Sequence, residues 1–408
     1  MPDTPLKHVL DGYKVLDFTQ FVAGPTVTLM MAEMGAEIIK IERMPSGDPS
    51  RVWPVLKNQR SGYFVQHNRG KKSLCLDGKS SEGAAILKTL VTKVDVIVEN
   101  FAPGVIGRLG LGYETVKALN PRVVMCSVSS FGQTGPLADE PGFDWSGAAY
   151  AGILHMIGMP DGPPITPTVA IGDVSTGVHA LGAIACALLY RERTGRGQYL
   201  DCALLDSYFH YHEAPVQLQT LSAGAIKPIR MGGHATYTAP AGVFRGHDRY
   251  FIIFAQIDHL WAKLCNVMKR PELIKDPRFA TNDDRAAHIK DLVELIEGWL
   301  QSMPSDEAAM AALKEARVPY APILTLEEAI NHPHLRQRGT VRTIQDGILG
   351  AFEVPGFPLR FSEFPFTLEL RAPTLGEHNH DILRDHLGYS AQKIAELEAR
   401  AVIHHEHR

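Results

Sequence analysis

Short apolar runs alternate with helical patterns from Lys14 to Ser127, and that alternation leaves few folds open to the chain. A strand over Lys14 to Phe18 leads through Gly24-Pro25 into a helical stretch from Thr26 to Met34, then through Gly35 into a strand over Glu37 to Ile41. A second unit follows: a helix from Ser81 to Thr92, a strand from Val94 to Val98, the loop Asn100 to Gly104, a helix from Tyr113 to Leu119 and a strand from Arg122 to Ser127. Strands joined by helices run parallel and are covered on both faces, so the expected class is α/β with a Rossmann-like, mostly parallel sheet.

Residues 129–167 are rich in Gly, Pro and Asp and predict site-forming loops. From Val178, apolar residues recur at 181, 184, 185, 188 and 189, one face of a helix that stops near Thr194-Gly195-Arg196-Gly197. A strand over Gln198 to Leu204 and a helix over Leu205 to Gln219 complete a first domain, and Gly224 to Gly233 has the composition of a linker. Beyond it, the strand pair Gly242 to Phe244 and Tyr250 to Phe254 and helices around 258–268, 284–301 and 305–316 predict a smaller α+β domain. The chain therefore divides into 1–223, 224–330 and a C-terminal segment, 331–408, that returns to the large domain, in keeping with a length of 408 residues.

Charge and cysteine usage narrow the function classes. With 41 basic against 45 acidic side chains there is no global field for a polyanion, so nucleic acid is not an expected partner and any phosphate site must be a local cluster of cations. Five widely spaced cysteines without a C-x-x-C pair point to reduced thiols rather than zinc or disulfides. The start, MPDTPLKHVL, lacks the pattern of a secretory signal, and the apolar run Ala180 to Tyr190 is too short to span a bilayer, so a cytoplasmic protein with no membrane partner is expected. Leu109-Gly110-Leu111-Gly112 has Thr115 where a dinucleotide fingerprint needs its third glycine. The tail His404-His405-Glu406-His407 reads as a frayed polar terminus, and no metal site is expected.

One carboxylate stands out. In IGDVSTGVHALG (residues 171–182), Asp173 lies among glycines, hydroxyls and apolar residues just before a helix. Its plain role is an N-cap or Asx-turn residue. Its functional role is compatible with that: a carboxylate at the positive end of a helix stays ionised at neutral pH and can attack an activated carbonyl, with Gly172 and Gly177 leaving room for a bulky substrate.

Eight phrases, in this order, carry a resemblance that spans nearly the whole chain: LDFTQFVAGP (16–25), GAEIIKIERMPSGDPSR (35–51), NRGKKSLCLD (68–77), VDVIVENFAPGVIGRLGLGYE (94–114), LNPRVVMCSVSSFGQTGP (119–136), GDVSTG (172–177), TGRGQYLDCALLDS (194–207) and LGEH (375–378). The chain resembles the class III coenzyme A transferases of the formyl-CoA transferase and carnitine CoA-transferase type. The resemblance implies that Asp173 is the nucleophile, and that coenzyme A runs along the first domain past Val22, Ala23, Arg43, Leu76, Lys79, Asn100, Phe101, Ala102 and Arg108. Arg43, Lys79 and Arg108 would supply the local positive charge that the phosphates need. It also implies an interlocked homodimer, and no tightly bound cofactor: acyl-CoA is a substrate, and a small carboxylate is the acceptor. Oxyanion donors are expected around Gln20 or at Gly232 and Gly233, with Asp144 assisting near the thioester.

The chain departs from this family and its relatives at two places. The α-methylacyl-CoA racemases need a histidine where Phe143 stands, and a lysine of the formyl-CoA transferases is replaced by Pro141. SGYF, N-R-x-K-K-S and FGQTGP look most like the branch that pairs succinyl-CoA with glutarate, which implies dicarboxylates, with Arg51, His67 and Arg230 as candidate partners for a distal carboxylate. Racemase-like proton transfer and noncatalytic CoA binding are the alternatives.

Overall fold

Strand β1 (Lys14–Asp17) lies at the centre of the sheet, and Val15 and Leu16 on it are completely buried although they point to opposite faces. A computed structural model describes residues 6–406; residues 1–5, which open the MPDTPLKHVL stretch, and 407–408, including His407, lie outside the described residues. Two compact units emerge, one of residues 1–151, 167–210 and 332–408, the other of 152–166 and 211–331. Residues 152–166 and 211–223, given to the first domain by the sequence pattern, group with the second unit; at 211–223, Pro215 and a break after His210 interrupt the expected helix from Leu205 to Gln219.

In the first unit the chain runs β1, α1 (Ala23–Glu33), β2 (Glu37–Arg43), α2 (Gly62–Asn68), β3 (Lys71–Leu76), α3 (Ser81–Val91), β4 (Val96–Glu99), α4 (Val105–Arg108), α5 (Tyr113–Leu119), β5 (Val124–Ser129), α6 (Asp144–Tyr150), α7 (Ile171–Thr194), β6 (Tyr199–Ala203) and α8 (Leu204–His210). The six strands are all parallel, in the order β3-β2-β1-β4-β5-β6. This is the expected Rossmann-like arrangement, and the strand order reverses between β1 and β4. Both faces are covered. Leu16, Ile39, Leu74, Ile97 and Met125 pack against α3, α5 and two C-terminal helices, Asn379–Leu387 and Ala391–Ala399. Val15, Ile38, Val96, Val98 and Val124 pack against α1 and α7.

Helix α1 begins at Ala23, before the Gly24-Pro25 pair expected to precede it; a proline in a first turn forfeits no intrahelical hydrogen bond. It crosses α7 closely enough that a Cβ on Gly177 would lie 2.8 Å from the Ala23 carbonyl oxygen. By length and composition α7 could cross a membrane, but Ala180, Leu181, Ile184 and Ala187 pack into the core of this unit.

The second unit contains β7 (Ala241–Arg245), β8 (Tyr250–Phe254) and β9 (Tyr320–Pro322) in the order β9-β8-β7, antiparallel. Helices Asp258–Val267, Ile289–Ser302 and Asp306–Glu315 back this sheet around Phe244, Phe251, Trp261 and Ile296. The C-terminal segment adds the hairpin β10 (Val341–Asp346) and β11 (Gly350–Pro355) to the first unit, where Asp346 pairs with buried Arg60 at 2.7 Å. The tail is not frayed through Glu406. His404 N–H donates to Cys75 O of β3, an edge strand with backbone groups to satisfy, and Glu406 N–H donates to Leu375 O, each at 3.0 Å.

Candidate active site

The strand order reverses between β1 and β4, and the loops that follow them are tied together: Gln20 N–H donates to Asn100 Oδ1 at 2.8 Å and Asn100 Nδ2 donates to Gln20 O at 2.9 Å. Buried charges support this junction. Lys40 donates to Thr19 O at 2.7 Å and pairs with Asp48 at 2.9 Å, while Lys71 pairs with Asp17 at 3.0 Å. On the other side, Glu99 accepts from Phe101 N–H at 2.8 Å, and burial pushes its carboxyl up to about 7.

Two cavities open beside the junction. The first, about 610 Å³, has Asp173 and Asp144 in its wall together with Val22, Ala23, Asn100, Phe101 and Ala102. Trp53, Tyr63, Phe131 and Phe143 make it strongly aromatic, and its charged lining residues, Glu140, Asp144 and Asp173, are all acidic. Phe21, also in the wall, holds φ at 61°, a strained conformation for a bulky side chain. The second cavity, about 570 Å³, gathers Gln20, Arg43, Leu76 and Lys79 with apolar Ile41, Leu87 and Leu109. Phe101 lines both. Arg108 is exposed at the end of α4, next to Leu109. The structure thus places all of the residues expected to meet coenzyme A except Arg108 in the walls of two cavities that share Phe101, with apolar surface and the exposed Arg43 and Lys79 in one and Asp144 and Asp173 in the other.

Asp173 is not an N-cap. Helix α7 starts at Ile171, so Asp173 stands in its first turn, and the capping position is Ala170, whose side chain accepts nothing. Asp173 N–H donates instead to Asp144 Oδ1 at 3.1 Å, and Asp144 also accepts from the Tyr208 hydroxyl at 2.9 Å. The expectation that the helix end alone keeps Asp173 ionised is corrected as well: burial first, then the negative charge of Asp144, pushes its carboxyl up to about 7. Burial likewise raises Asp144, against the hydrogen bonds it accepts. Across the cavity, burial and the charge of Asp173 push the Tyr63 phenol up to about 12, which keeps it a proton donor. A carboxylate of this basicity, beside room for a thioester, is a better nucleophile than an ordinary aspartate.

Other expected residues are engaged elsewhere. Arg51 binds both oxygens of Glu42, at 2.8 and 2.6 Å, and its guanidinium lies 3.7 Å from the Phe64 ring centre, so its charge is taken up by the protein's own carboxylate. His67 is buried, with Nδ1 2.9 Å from Tyr63 O, and burial lowers it to about 4. Neither lines the Asp173 cavity. Arg230, Gly232 and Gly233 belong to the second unit. There Arg230 donates to His155 O at 2.9 Å, and Gly232 N–H, an expected oxyanion donor, is already given to Gly158 O at 3.0 Å. Tyr63, Trp53 and Tyr208 are not among the residues expected from the sequence. Tyr63 lies in the phrase SGYF, whereas nothing local marks Tyr208, which reaches Asp144 only across the fold.

Residues 10–379 match CoA-transferase family III. The chain is 34% identical over 399 residues to the succinyl-CoA:glutarate CoA-transferase of Mus musculus, covering 97% of this chain and 90% of that one. It is 36% identical over 397 residues to the succinyl-CoA–D-citramalate CoA-transferase of Chloroflexus aurantiacus, covering 97% and 98%. Among solved structures, a CAIB/BAIF family protein from Brucella suis superposes with a TM-score of 0.80 at 34% identity, covering 93% of this chain and all of that one (100%).

Proposed function

This chain belongs to CoA-transferase family III, enzymes acting between acyl-CoA thioesters and carboxylic acids, and from that premise we propose that Asp173 carries the acyl group and then coenzyme A as covalent intermediates. The observation that carries the reading is the placement of Asp173, raised to about 7, in the wall of a 610 Å³ cavity that shares Phe101 with a cavity holding Arg43 and Lys79.

Above pH 7 the ionised Asp173 carboxylate attacks the thioester carbonyl; the carbon–sulfur bond breaks, leaving a mixed anhydride and CoA thiolate. The thiolate attacks the aspartyl carbonyl, releases the donor acid as its carboxylate and leaves an aspartyl-CoA thioester. The acceptor carboxylate repeats both steps in reverse order, so the enzyme ends as it began and no proton or electron is left over. Each half-reaction begins and ends with a thioester, so its bond energy is kept through the higher-energy anhydride, and the aromatic wall limits the access of water to that anhydride. Arg43, Lys79 and Arg108 hold the phosphates of coenzyme A, while Leu76 and Phe101 meet its apolar parts. The Gln20 amide is already given to Asn100, so the oxyanion donors in this reading are the Val22 and Ala23 amides and the Tyr63 phenol, all three residues of the cavity wall.

Succinyl-CoA or another dicarboxylyl-CoA is the donor suggested by the relatives. The protein is proposed to work in the cytoplasm as a homodimer, and the exposed apolar stripe Val174, Val178, Cys186 and Leu189 on α7 supports pairing with a second copy. A panel of acyl-CoA donors and carboxylate acceptors, read by mass spectrometry, tests the reading. Exchange that needs an acceptor is expected, with a CoA adduct on the peptide containing residue 173 after acid quench. Asp173→Asn should lower turnover by at least ~10³ while remaining folded. Deuterium entering the α-carbon of the acyl-CoA without any acceptor would indicate a racemase instead, and full activity in the variant would sink the covalent mechanism.

A further inference from the structure

The first turn of α7 is capped from outside the helix. Gly172 N–H donates to the Tyr208 hydroxyl oxygen at 3.0 Å and Asp173 N–H to Asp144 Oδ1 at 3.1 Å, while the Tyr208 O–H donates to that same Asp144 oxygen at 2.9 Å. Tyr208 and Asp144 are buried, 2% and 7% exposed. The fit leaves no slack: a Cβ on Gly172 would collide with Tyr208 Cε2 and with Asp144 Oδ1. The second oxygen of Asp144, Oδ2, is buried without a hydrogen-bond partner, in a residue that lines the Asp173 cavity.

We propose that Tyr208 is a positioning residue for acyl transfer: by holding the Gly172 amide and one oxygen of Asp144, it sets the first turn of α7 and keeps the Asp144 charge beside Asp173. The proposal rests on the reading of Asp173 as the nucleophile.

The physical effect follows from where charge sits before and after acylation. A hydroxyl that donates to a carboxylate favours its ionised form, and an ionised Asp144 disfavours a second negative charge on Asp173. Acylation turns Asp173 into a neutral anhydride or thioester, so the repulsion is present in the free enzyme and absent from the intermediates. Tyr208 thereby tilts the equilibrium toward the acylated enzyme as well as orienting the nucleophile. The other titratable groups facing Asp173 are Tyr63 on α2 and, in the same cavity, Glu140 ahead of α6; neither supplies a positive charge that would cancel the effect.

The test uses the full chain with Tyr208→Phe, which keeps the ring and removes the hydroxyl, and with Asp144→Asn. The titration of Asp173 is followed by carboxyl carbon NMR on aspartate-labelled protein, assigned by difference from Asp173→Asn, alongside the pH profile of kcat/KM. Losing the hydroxyl makes Asp144 harder to ionise and weakens its push on Asp173. Tyr208→Phe should therefore move the Asp173 titration and the acid limb of the profile about half a pH unit or more toward acid, and lower kcat about tenfold with the KM for acyl-CoA within about twofold. Asp144→Asn should move the titration further in the same direction. A folded Tyr208→Phe enzyme with the Asp173 titration unmoved would overturn the proposal, whatever its rate. If that variant does not fold, an unmoved titration in Asp144→Asn overturns it equally. Because the NMR measurement needs no turnover, an Asp173→Asn enzyme of undiminished activity would remove the covalent mechanism without being confused with either result.

Discussion

Asp17, Glu42 and Asp48 beneath the loop after β1, and Asp144 and Asp173 at the start of α6 and in the first turn of α7, are carboxylates of one unit, yet the fold treats them in opposite ways. The first three are buried against Lys71, Arg51 and Lys40. Burial opposes their ionisation, but these cations and the hydrogen bonds around them win, so all three titrate below their usual values, Asp48 at about 2. The other two face each other without a cation, and both are raised, Asp144 by burial and Asp173 by burial and the charge of Asp144. A carboxylate matched to a cation becomes a structural tie, whereas one left beside a like charge holds its proton to higher pH, as the proposed nucleophile does. The exposed Arg43 and Lys79 form a third case, charges on the wall of an open cavity where Glu42 and Asp77 are the carboxylates among the lining residues.

The difference can be broken most directly from the structural side. Replacing Lys40 by Met leaves Asp48 buried without its cation, and the expected loss is about 3–5 kcal/mol of stability, measured by urea unfolding at neutral pH. A loss under about 1 kcal/mol would mean that the pair is no tie. Asp173 should behave in the reverse sense. Its folded value lies above its unfolded one, so the native state is disfavoured as pH rises from about 4 through 7. A rise from 3.8 to about 7 corresponds to roughly 4 kcal/mol as a ceiling. Asp173→Asn should accordingly be about 1–3 kcal/mol more stable than the parent protein at about pH 8, with the gain fading toward about pH 4. Asp48 has the opposite sign: its contribution is present above pH 3.8 and is lost as pH falls through about 2. The smallest effect belongs to the exposed cations, where Arg43→Ala should raise the KM for acyl-CoA about tenfold and leave kcat nearly unchanged. An equal fall in kcat would instead tie Arg43 to the reacting end.

Much of the first unit was legible along the chain. Strands buried on both faces must be apolar on both faces, so VIV at 96–98 and VVMCSV at 123–128 announce a parallel sheet, and short crossovers announce its helices. The GDVSTG phrase located Asp173, and the phrases around Arg43, Lys79 and Asn100 located residues that line the two cavities. The fate of Arg51 and His67 was not legible. Both have the chemistry of a carboxylate receptor, but one is claimed by Glu42 and the other is buried beside Tyr63. The docking of the β10–β11 hairpin through Asp346 onto Arg60, and the ordered tail, were equally hidden, since each depends on partners distant in sequence.

By itself the sequence determined the strand–helix alternation and the identity of the carboxylate at 173, because periodicity and local composition act between neighbours. The acid strength of that carboxylate was decided only by the tertiary structure. Asp144 lies 29 positions away along the chain and Tyr208 stands 64 positions beyond Asp144, and only folding removes the water that would otherwise screen one charge from the other.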